Sequence, residues 1–412
     1  MNICSVIQSV SDLIKHTIQD PAFIATYRIH ENDFTRKRVL QFQDIMTFIL
    51  SLPKKNLTFD LENFLEQLFP GTVPSYSKQA FSKARYKISW QAFQELFLSV
   101  THLLLEQSPP ALWHGFRVIA VDGTTIQLPQ SPSNFRIFGG AATTSLTRVS
   151  ALVDVGNDLL LDAVMEEYSC QEPDQACQLI QEWMAYSDRF PAIFLFDRNY
   201  NNYSLLEQLW VTRQKFVIRC KGNFPKYLTS VKEKEFPYFI GHLKRYVIPL
   251  NDFDEPEYLL TNLIEPEFEP LMKELYHMRW GIEKKYNELK NRISIQTFTG
   301  HKEDALFQDF FSNLLFSNIA CFIKNYCDLQ REEKEANGPK KPNKYQTNLS
   351  NVIMRLWTCY LKLLLRKPGW KKRLIKIIKQ SGRDTSIIRP NRERKKRPER
   401  HLKQPYNYKT AL

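Results

Sequence analysis

The stretches RVIAVDGTTIQL at residues 117–128 and AIFLFDRNYNNYSLL at residues 192–206 decide the fold class. Each begins with a run of apolar residues rich in β-branched or aromatic side chains, which is typical of a buried strand. Each run meets an aspartate, Asp122 in the first and Asp197 in the second. A carboxylate there costs free energy unless it is paired or binds a metal ion. Both are candidate functional residues, although Asp122 also fits a hairpin turn and Asp197 a helix N-cap.

The chain around these stretches combines strands with helices. Two further strand patterns, TRVSALVDV at 147–155 and LLLDAVMEE at 159–167, precede a helical pattern at 174–186. After AIFLF, the capping-box spacing at 204–207 opens another helix, and FVIRC at 216–220 is the next strand. The order of three strands, helix, strand, helix and strand predicts an α/β fold with an RNase H-like core.

A third candidate acid lies in ELYHMRWGIEKKYNELKNRI, within a helix predicted from about residue 269 to residue 292. At about 100° per residue, Tyr276, Arg279, Glu283 and Lys290 share a stripe roughly 60° wide, and the apolar residues form a separate packing face. One carboxylate beside an arginine, a lysine and a tyrosine suits metal binding next to DNA phosphates. A solvated face with pairs of residues four apart is the alternative.

These three motifs together resemble a known enzyme family. DGTTIQLP at 122–129, DRNYNNYSLL at 197–206 and Y-x2-R-x3-E-x6-K at 276–290 are similar to the DDE transposases of bacterial insertion sequences. The resemblance covers about 115–325 and points to the group with the Tyr-Arg-Glu-Lys signature and a β-rich insertion before the catalytic glutamate. One position departs from the pattern, because Asn199 stands where the family usually has glycine.

The resemblance implies the roles of individual residues and the partners. It implies an RNase H-like fold and cut-and-paste transposition of double-stranded DNA, with inverted-repeat ends and target DNA as substrates. Because two ends are brought together, it also implies a homodimer on DNA. The metal-binding catalytic triad, holding Mg²⁺ with Mn²⁺ as an alternative, would be Asp122, Asp197 and Glu283. The DNA-contacting residues would be Tyr276, Arg279, Lys290, Trp280 and Arg198.

The chain around the catalytic core divides into further predicted regions. Residues 1–110 read as an all-α N-terminal domain, in which the basic stretch at 74–88 is either a helix that enters a DNA groove or a solvated helix face. The catalytic domain is predicted over 115–300, with a β-rich insertion at about 223–263. C-terminal helices follow at 301–366 and a basic tail at 367–412.

The charge and the cysteine content limit the functions that this protein can have. The net charge is +13, and residues 366–412 alone hold 17 basic and three acidic residues, which favours a polyanionic partner. Seven cysteines without a CxxC pair argue against a disulfide framework or a zinc site. No signal peptide or bilayer-spanning stretch is expected, so we expect a cytoplasmic, nucleoid-associated bacterial protein. A catalytically silent DNA-binding regulator and a structure-selective nuclease of the same fold remain alternatives to a transposase.

Overall fold

The computed structural model describes residues 2–53, 56–186, 190–220, 235–238, 241–248, 257–337 and 343–388. The chain divides into two compact units. The first unit combines Met1–Ser108, Gln127–Asn134 and Leu289–Leu412, and the second combines Pro109–Ile126 and Phe135–Glu288. The polypeptide therefore leaves the first unit twice: it contributes Pro109–Ile126 to the second unit, returns for Gln127–Asn134, and then builds the rest of the second unit before it ends in the first.

The bounds of the described elements follow in chain order. Helices α1 to α14 span Ile3–Gln19, Pro21–Tyr27, Phe42–Leu50, Leu57–Leu68, Lys78–Arg85, Gln91–Gln107, Pro132–Phe138, Glu172–Ala185, Tyr203–Val211, Met272–His277, Trp280–Glu288, Glu303–Ala336, Leu349–Leu364 and Trp370–Ser381. Strands β1 to β11 span Arg117–Gln127, Gly140–Ala141, Thr144–Asp154, Leu159–Glu167, Ala192–Phe196, Lys215–Cys220, Glu235–Tyr238, Gly241–Ile248, Glu257–Thr261, Tyr345–Thr347 and Thr385–Ile387.

The first unit has helix α12 at its centre. This helix packs against α3, α6 and α13, and its residues from Ala305 to Ile323 are all buried. The sequence predicts separate domains at 1–110 and 301–366, whereas the structure joins the two helical regions in one unit. The physical reason is that the N-terminal helices and α12 bury their apolar faces against each other.

Helix α12 is long and apolar enough to cross a bilayer, which differs from the expectation that no stretch is. Its most apolar window has a mean hydropathy of 1.3, but that window is completely buried inside the protein. The described structure therefore uses this helix as a core element, and its apolar composition follows from packing on all sides.

The basic stretch at 74–88 forms α5, and one of its cations serves packing. Arg85 is almost fully buried and donates from Nη2 to Asp309 at 3.1 Å and from Nε to Gln308 at 3.0 Å. Lys78 and Lys83 remain exposed on the same helix. Arg85 therefore attaches α5 to α12, and a DNA contact by this helix would depend on its lysines.

The first part of the predicted basic tail is folded. Helix α14 buries Leu374 and Ile377 and exposes its cations, and β11 pairs antiparallel with β10. This segment forms a helix because it is amphipathic: apolar residues at three-residue spacing give α14 a packing face. The strongly basic run at 390–400 lies outside the described residues.

The second unit is a mixed α/β structure built on one mixed sheet. The strand order is β2-β3-β1-β5-β6-β9-β8-β7, with β4 paired to β3. Strands β1, β5 and β6 are parallel neighbours, whereas β3 and β4 are antiparallel. The long elements follow the predicted chain order, with α7 and the short β2 added between β1 and β3.

The segment predicted as a β-rich insertion at 223–263 extends this sheet. Strand β9 pairs antiparallel with β6, β8 pairs with β9, and β7 pairs with β8. The described strands of the segment therefore continue the hydrogen-bond ladder of the central sheet. Residues 221–234, 239–240 and 249–256 of the segment lie outside the described residues.

The predicted long helix over about 269–292 is interrupted. It consists of a 3₁₀ turn at Pro266–Leu271, the helices α10 and α11, and a π-helical turn at Leu289–Ile293. Pro270 lies inside the first turn, and a proline cannot donate a helical hydrogen bond. The spacing of about 100° per residue, from which the shared face of Tyr276, Arg279, Glu283 and Lys290 was predicted, therefore does not hold over the whole segment. Lys290 falls in the π-helical turn.

Candidate functional site

The parallel register of β1 and β5 brings two of the predicted acids together. Ala120 pairs with Leu195 in this register, so two further residues along each strand lead to Asp122 and Asp197. Asp122 lies in the middle of β1, just past its last register pair with β5, and Asp197 directly follows β5. The carboxyl end of a parallel strand such as β5 is where α/β proteins place ligand sites. The charge of Asp197 acts on the Asp122 carboxyl, which agrees with this placement.

The third predicted acid is linked to the first through an arginine. Arg279 donates from Nη2 to Glu283 Oε1 at 2.6 Å and forms an ion pair from Nη1 to Asp122 Oδ2 at 3.4 Å. The Arg279 side chain is only 7% exposed, so this guanidinium is committed to the two carboxylates. Asp122, Asp197 and Glu283 therefore converge from three different elements of the second unit.

Helix α11 is held against the β3–β4 turn by a close backbone approach and a buried cation. A β-carbon added at Gly281 would lie 2.9 Å from Val155 Cγ1, closer than real contacts of this kind. The buried Lys285 ammonium binds Asp158 Oδ1 at 2.8 Å and the Asp158 carbonyl oxygen at 2.9 Å. Together they set the height and rotation of α11, and hence the position of Glu283.

The Asp122 carboxyl has an altered proton affinity. Burial, the charge of Asp197 and, more weakly, the charge of Glu172 raise its pKa from 3.8 to about 7, against the opposing effects of the Gly123 amide and Arg279. Buried carboxyls of this kind lose the hydration that favours the charged form. A cation bound among these acids would stabilise the ionised form of the Asp122 carboxyl. The ionised carboxylate would in turn bind the cation more strongly.

A fourth acid, which the sequence reasoning missed, lies at the same place. Glu172 begins α8, and its carboxyl occupies the space in which Gly123 would otherwise carry a side chain. Arg148 of β3 donates from Nη1 to Glu172 Oε1 at 2.9 Å. Burial raises the pKa of Glu172, Arg148 opposes that rise, and the charge of Asp197 adds to it. No motif in the sequence marks this glutamate, since only the fold brings α8 to β1.

Two tyrosine hydroxyls also border the acids. Tyr286 donates its hydroxyl to the Asp122 carbonyl oxygen at 2.6 Å. Tyr200 is fully buried, and its hydroxyl has no hydrogen-bond partner among the described residues. Burial, together with the charges of Asp122 and Glu172, raises the pKa of Tyr200 well above its usual range. Both hydroxyls therefore remain protonated.

Asp197 and Asn199 form a capped turn. Asp197 Oδ1 accepts from the Asn199 amide at 2.7 Å and caps the 3₁₀ turn Arg198–Tyr200. The cap of α9 is Asn202, which differs from the predicted Ser204. Asn199 is absent from the positive-φ residues of the described chain, so this turn does not require glycine.

The residues predicted to contact DNA have different environments. Tyr276 is 7% exposed and packs in the hydrophobic cluster with Val118 and Leu195. Trp280 is 50% exposed, and its ring lies against the Arg279 guanidinium. Arg198 is exposed in the turn after Asp197. Of these side chains, Trp280 and Arg198 are open to a ligand, whereas Tyr276 serves the core.

The donor set fits a hard divalent cation. Carboxylate oxygens are the ligands that Mg²⁺ and Mn²⁺ prefer, and the three converging acids supply them. The guanidinium of Arg279 already lies between two of the acids, which shows that a positive charge is stabilised there. The partnerless Tyr200 hydroxyl is a further polar group that a ligand or its water could satisfy.

Comparison with known proteins identifies the family. The model of the Transposase DDE domain matches residues 113–319. The transposase InsG for insertion sequence element IS4 of Escherichia coli (strain K12) is 23% identical over 430 residues, covering 95% of this chain and 92% of that protein. A cryo-EM structure of piggyBac transposase in a synaptic complex with hairpin DNA has a TM-score of 0.47 at 13% identity, covering 91% of this chain and 84% of that one.

The family match includes Asp122, Asp197 and the helix that carries Glu283, and it spans half of the chain. The similarity to the IS4 transposase extends over nearly the whole length of both proteins. The resemblance of the three motifs is thus confirmed: the chain belongs to the transposases with a DDE domain and is a DNA transposase of the insertion-sequence type.

Proposed function

We propose that this transposase cuts DNA at the inverted-repeat ends of its element and transfers the freed strands to target DNA, with Asp122, Asp197 and Glu283 holding Mg²⁺, or Mn²⁺ in its place. One observation carries the assignment, namely that Arg279 bridges Asp122 and Glu283 while the sheet register sets Asp197 beside Asp122. No common role in stabilising the fold explains why acids from three separate elements converge at one place.

The sheet supports an RNase H-like core for the second unit. The long strands lie in the order β4-β3-β1-β5-β6, with parallel pairing among β1, β5 and β6 and antiparallel pairing between β3 and β4. The chain order of these strands and of α8 and α9 is the order that the motif resemblance implies.

The residues of the site divide the work of phosphodiester chemistry. Asp122, Asp197 and Glu283 would hold the divalent ions, whose chemistry would be to activate the attacking oxygen and stabilise the leaving oxygen of the phosphodiester. Arg279 neutralises Asp122 and Glu283 before that, and its guanidinium can bind a DNA phosphate once the carboxylates turn to another cation. Trp280 offers an exposed aromatic face on which an unpaired base can stack.

The partners of the proposed reaction follow from charge and topology. Exposed cations on α5 and α14 suit binding to the phosphate backbone of double-stranded DNA. Bringing two element ends together requires two active sites, so we propose a homodimer on DNA. Its place of action would be the cytoplasm, at the nucleoid, where bacterial DNA is found.

The test uses DNA duplexes that carry the element's ends, incubated with the full chain and Mg²⁺, Mn²⁺ or EDTA. Glu283→Gln keeps volume and hydrogen bonding but removes a charged ligand, so we expect cleavage to fall by several orders of magnitude while end binding persists. Glu274→Gln is the matched control, because Glu274 is an exposed acid on the preceding helix α10.

The products distinguish the alternatives. Joined strands that require a divalent ion support the transposase proposal. Cleavage without joining would identify a structure-selective nuclease, and binding without products would identify a silent regulator. Near-normal cutting by Glu283→Gln would contradict the assignment of the triad. Light scattering of the DNA complex measures whether two chains assemble.

A further inference from the structure

The strongest unassigned group near the site is Glu172. It lies at the first residue of α8, whereas the three acids carried over from the family motifs come from β1, the end of β5 and α11. Its carboxyl packs directly on the Gly123 backbone, immediately after Asp122. Asp197 is also close enough for its charge to act on Glu172. Glu172 therefore borders both Asp122 and Asp197.

The position of this carboxyl is built by its surroundings. Arg148 binds Oε1, and the Arg148 guanidinium also lies over the Tyr168 ring. The bond from Arg148 to Oε1 is the one side-chain hydrogen bond of the Glu172 carboxylate among the described residues. One oxygen is therefore anchored, and the other is free to accept a further ligand.

The absence of a side chain at position 123 is part of this arrangement. Gly123 does not have a positive φ, so its backbone conformation does not demand glycine. The space beside it is instead filled by the Glu172 carboxyl, and any larger residue would push that carboxyl away. The Tyr200 hydroxyl is buried without a partner among the described residues, and the charges of Asp122 and Glu172 both act on it, so a polar group that a ligand could satisfy lies at the same point.

We propose that Glu172 is a fourth carboxylate of the metal site, positioned by Arg148 and by the open space at Gly123. The inference rests on the proposed function, since it adds a ligand group to the same divalent-ion site. A fourth acid increases the negative charge available to a divalent ion, and hence its affinity in the absence of DNA.

The test measures Mn²⁺ binding to the full-length protein without DNA, by calorimetry or by electron paramagnetic resonance of the free ion. Glu172→Gln should weaken Mn²⁺ binding by about tenfold or more, the range seen when groups that support a metal site are removed. Glu167→Gln is the matched control, because Glu167 is an exposed acid five residues earlier whose side chain accepts only from Ser169 among the described contacts.

A second variant separates position from charge. Gly123→Ala keeps every carboxylate but displaces that of Glu172, so it should weaken Mn²⁺ binding in the same direction. If circular dichroism shows that Glu172→Gln does not fold, Gly123→Ala still tests the role of Glu172. The added methyl group meets the far end of a flexible side chain, so the fold should tolerate it.

Asp122→Asn distinguishes a failure of the proposed metal site from a failure of the proposed role of Glu172. Weak binding by this variant together with unchanged binding by Glu172→Gln and Gly123→Ala would overturn the role of Glu172 and leave the triad standing. Unchanged binding by Asp122→Asn would contradict the metal site of the proposed function itself. Weak binding by all three, with Glu167→Gln at the wild-type level, is the expected result.

Discussion

Arg279 donates to Glu283 at 2.6 Å, one helical turn away on the broken helix that carries both residues. The same guanidinium reaches Asp122 on β1, so one cation joins the two ends of the candidate triad. This bridge shows that the site can hold a positive charge without a metal ion. A divalent cation at the proposed site would therefore compete with Arg279 for the carboxylates.

Removal of that internal cation should make the protein more dependent on divalent ions. Arg279→Ala leaves Asp122 and Glu283 without their partner, at a cost of about 1–3 kcal/mol for charged hydrogen bonds. We expect a lower melting temperature in EDTA and a larger rise on addition of Mg²⁺ than in the wild type. The control is Arg198→Ala, an exposed arginine whose loss should change neither value; equal Mg²⁺ effects in Arg279→Ala and wild type would contradict the competition.

The Asp122 carboxyl predicts a defined dependence of stability on pH. Its folded pKa of about 7 lies above its ordinary value of 3.8, so the folded state binds a proton more readily than the unfolded state in that interval. Stability is therefore lost as pH rises from about 4 to about 7, by at most about 1.4 kcal/mol for each pH unit. Above pH 7 the contribution should be constant.

Asp122→Asn isolates this contribution, because asparagine does not titrate. In EDTA, the free energy of unfolding of the variant relative to wild type should increase from pH 4 to pH 7 and then level off. Urea titrations at several pH values measure it. A difference that does not change with pH would show that Asp122 does not carry the raised pKa.

The contact between Gly281 and Val155 predicts a separation of stability from activity. Gly281→Ala gains about 1 kcal/mol of helix propensity but introduces overpacking that costs about 1–3 kcal/mol. The net change in stability should be small, whereas DNA cleavage should fall because α11 moves and takes Glu283 with it. Val155→Ala in the same chain should restore cleavage, and a double-mutant cycle measures this coupling. Independent effects of the two substitutions would exclude the proposed contact.

Helix α14 predicts salt-dependent DNA binding. Its exposed cations include Lys372, Lys376 and Lys379, and each phosphate that they neutralise contributes about 0.9 to the slope of log affinity against log salt. Replacement of all three by glutamine should reduce the slope by up to about 3 and weaken end-specific and non-specific DNA binding alike. Lys15→Gln and Lys334→Gln, on exposed positions of α1 and α12, serve as controls. An unchanged slope in the triple variant would leave α14 without a DNA role.

Local pattern alone determined much of this protein. The apolar runs that meet Asp122 and Asp197 were sufficient to predict an α/β fold, and the three motifs carried the resemblance to the DDE transposases that implied the triad. These features can be read from sequence because strand periodicity and strand-end carboxylates depend on neighbouring residues. The family match over residues 113–319 covers the same motifs.

Tertiary structure decided what those residues touch. The joining of N- and C-terminal helices around α12, the break between α10 and α11, and the burial of Tyr276 all depend on packing between distant segments. Glu172 carries no local signal, because its place beside Asp122 exists only once α8 packs near β1 over Gly123. Long-range burial sets such positions, and a single sequence does not record which distant surfaces will exclude water together.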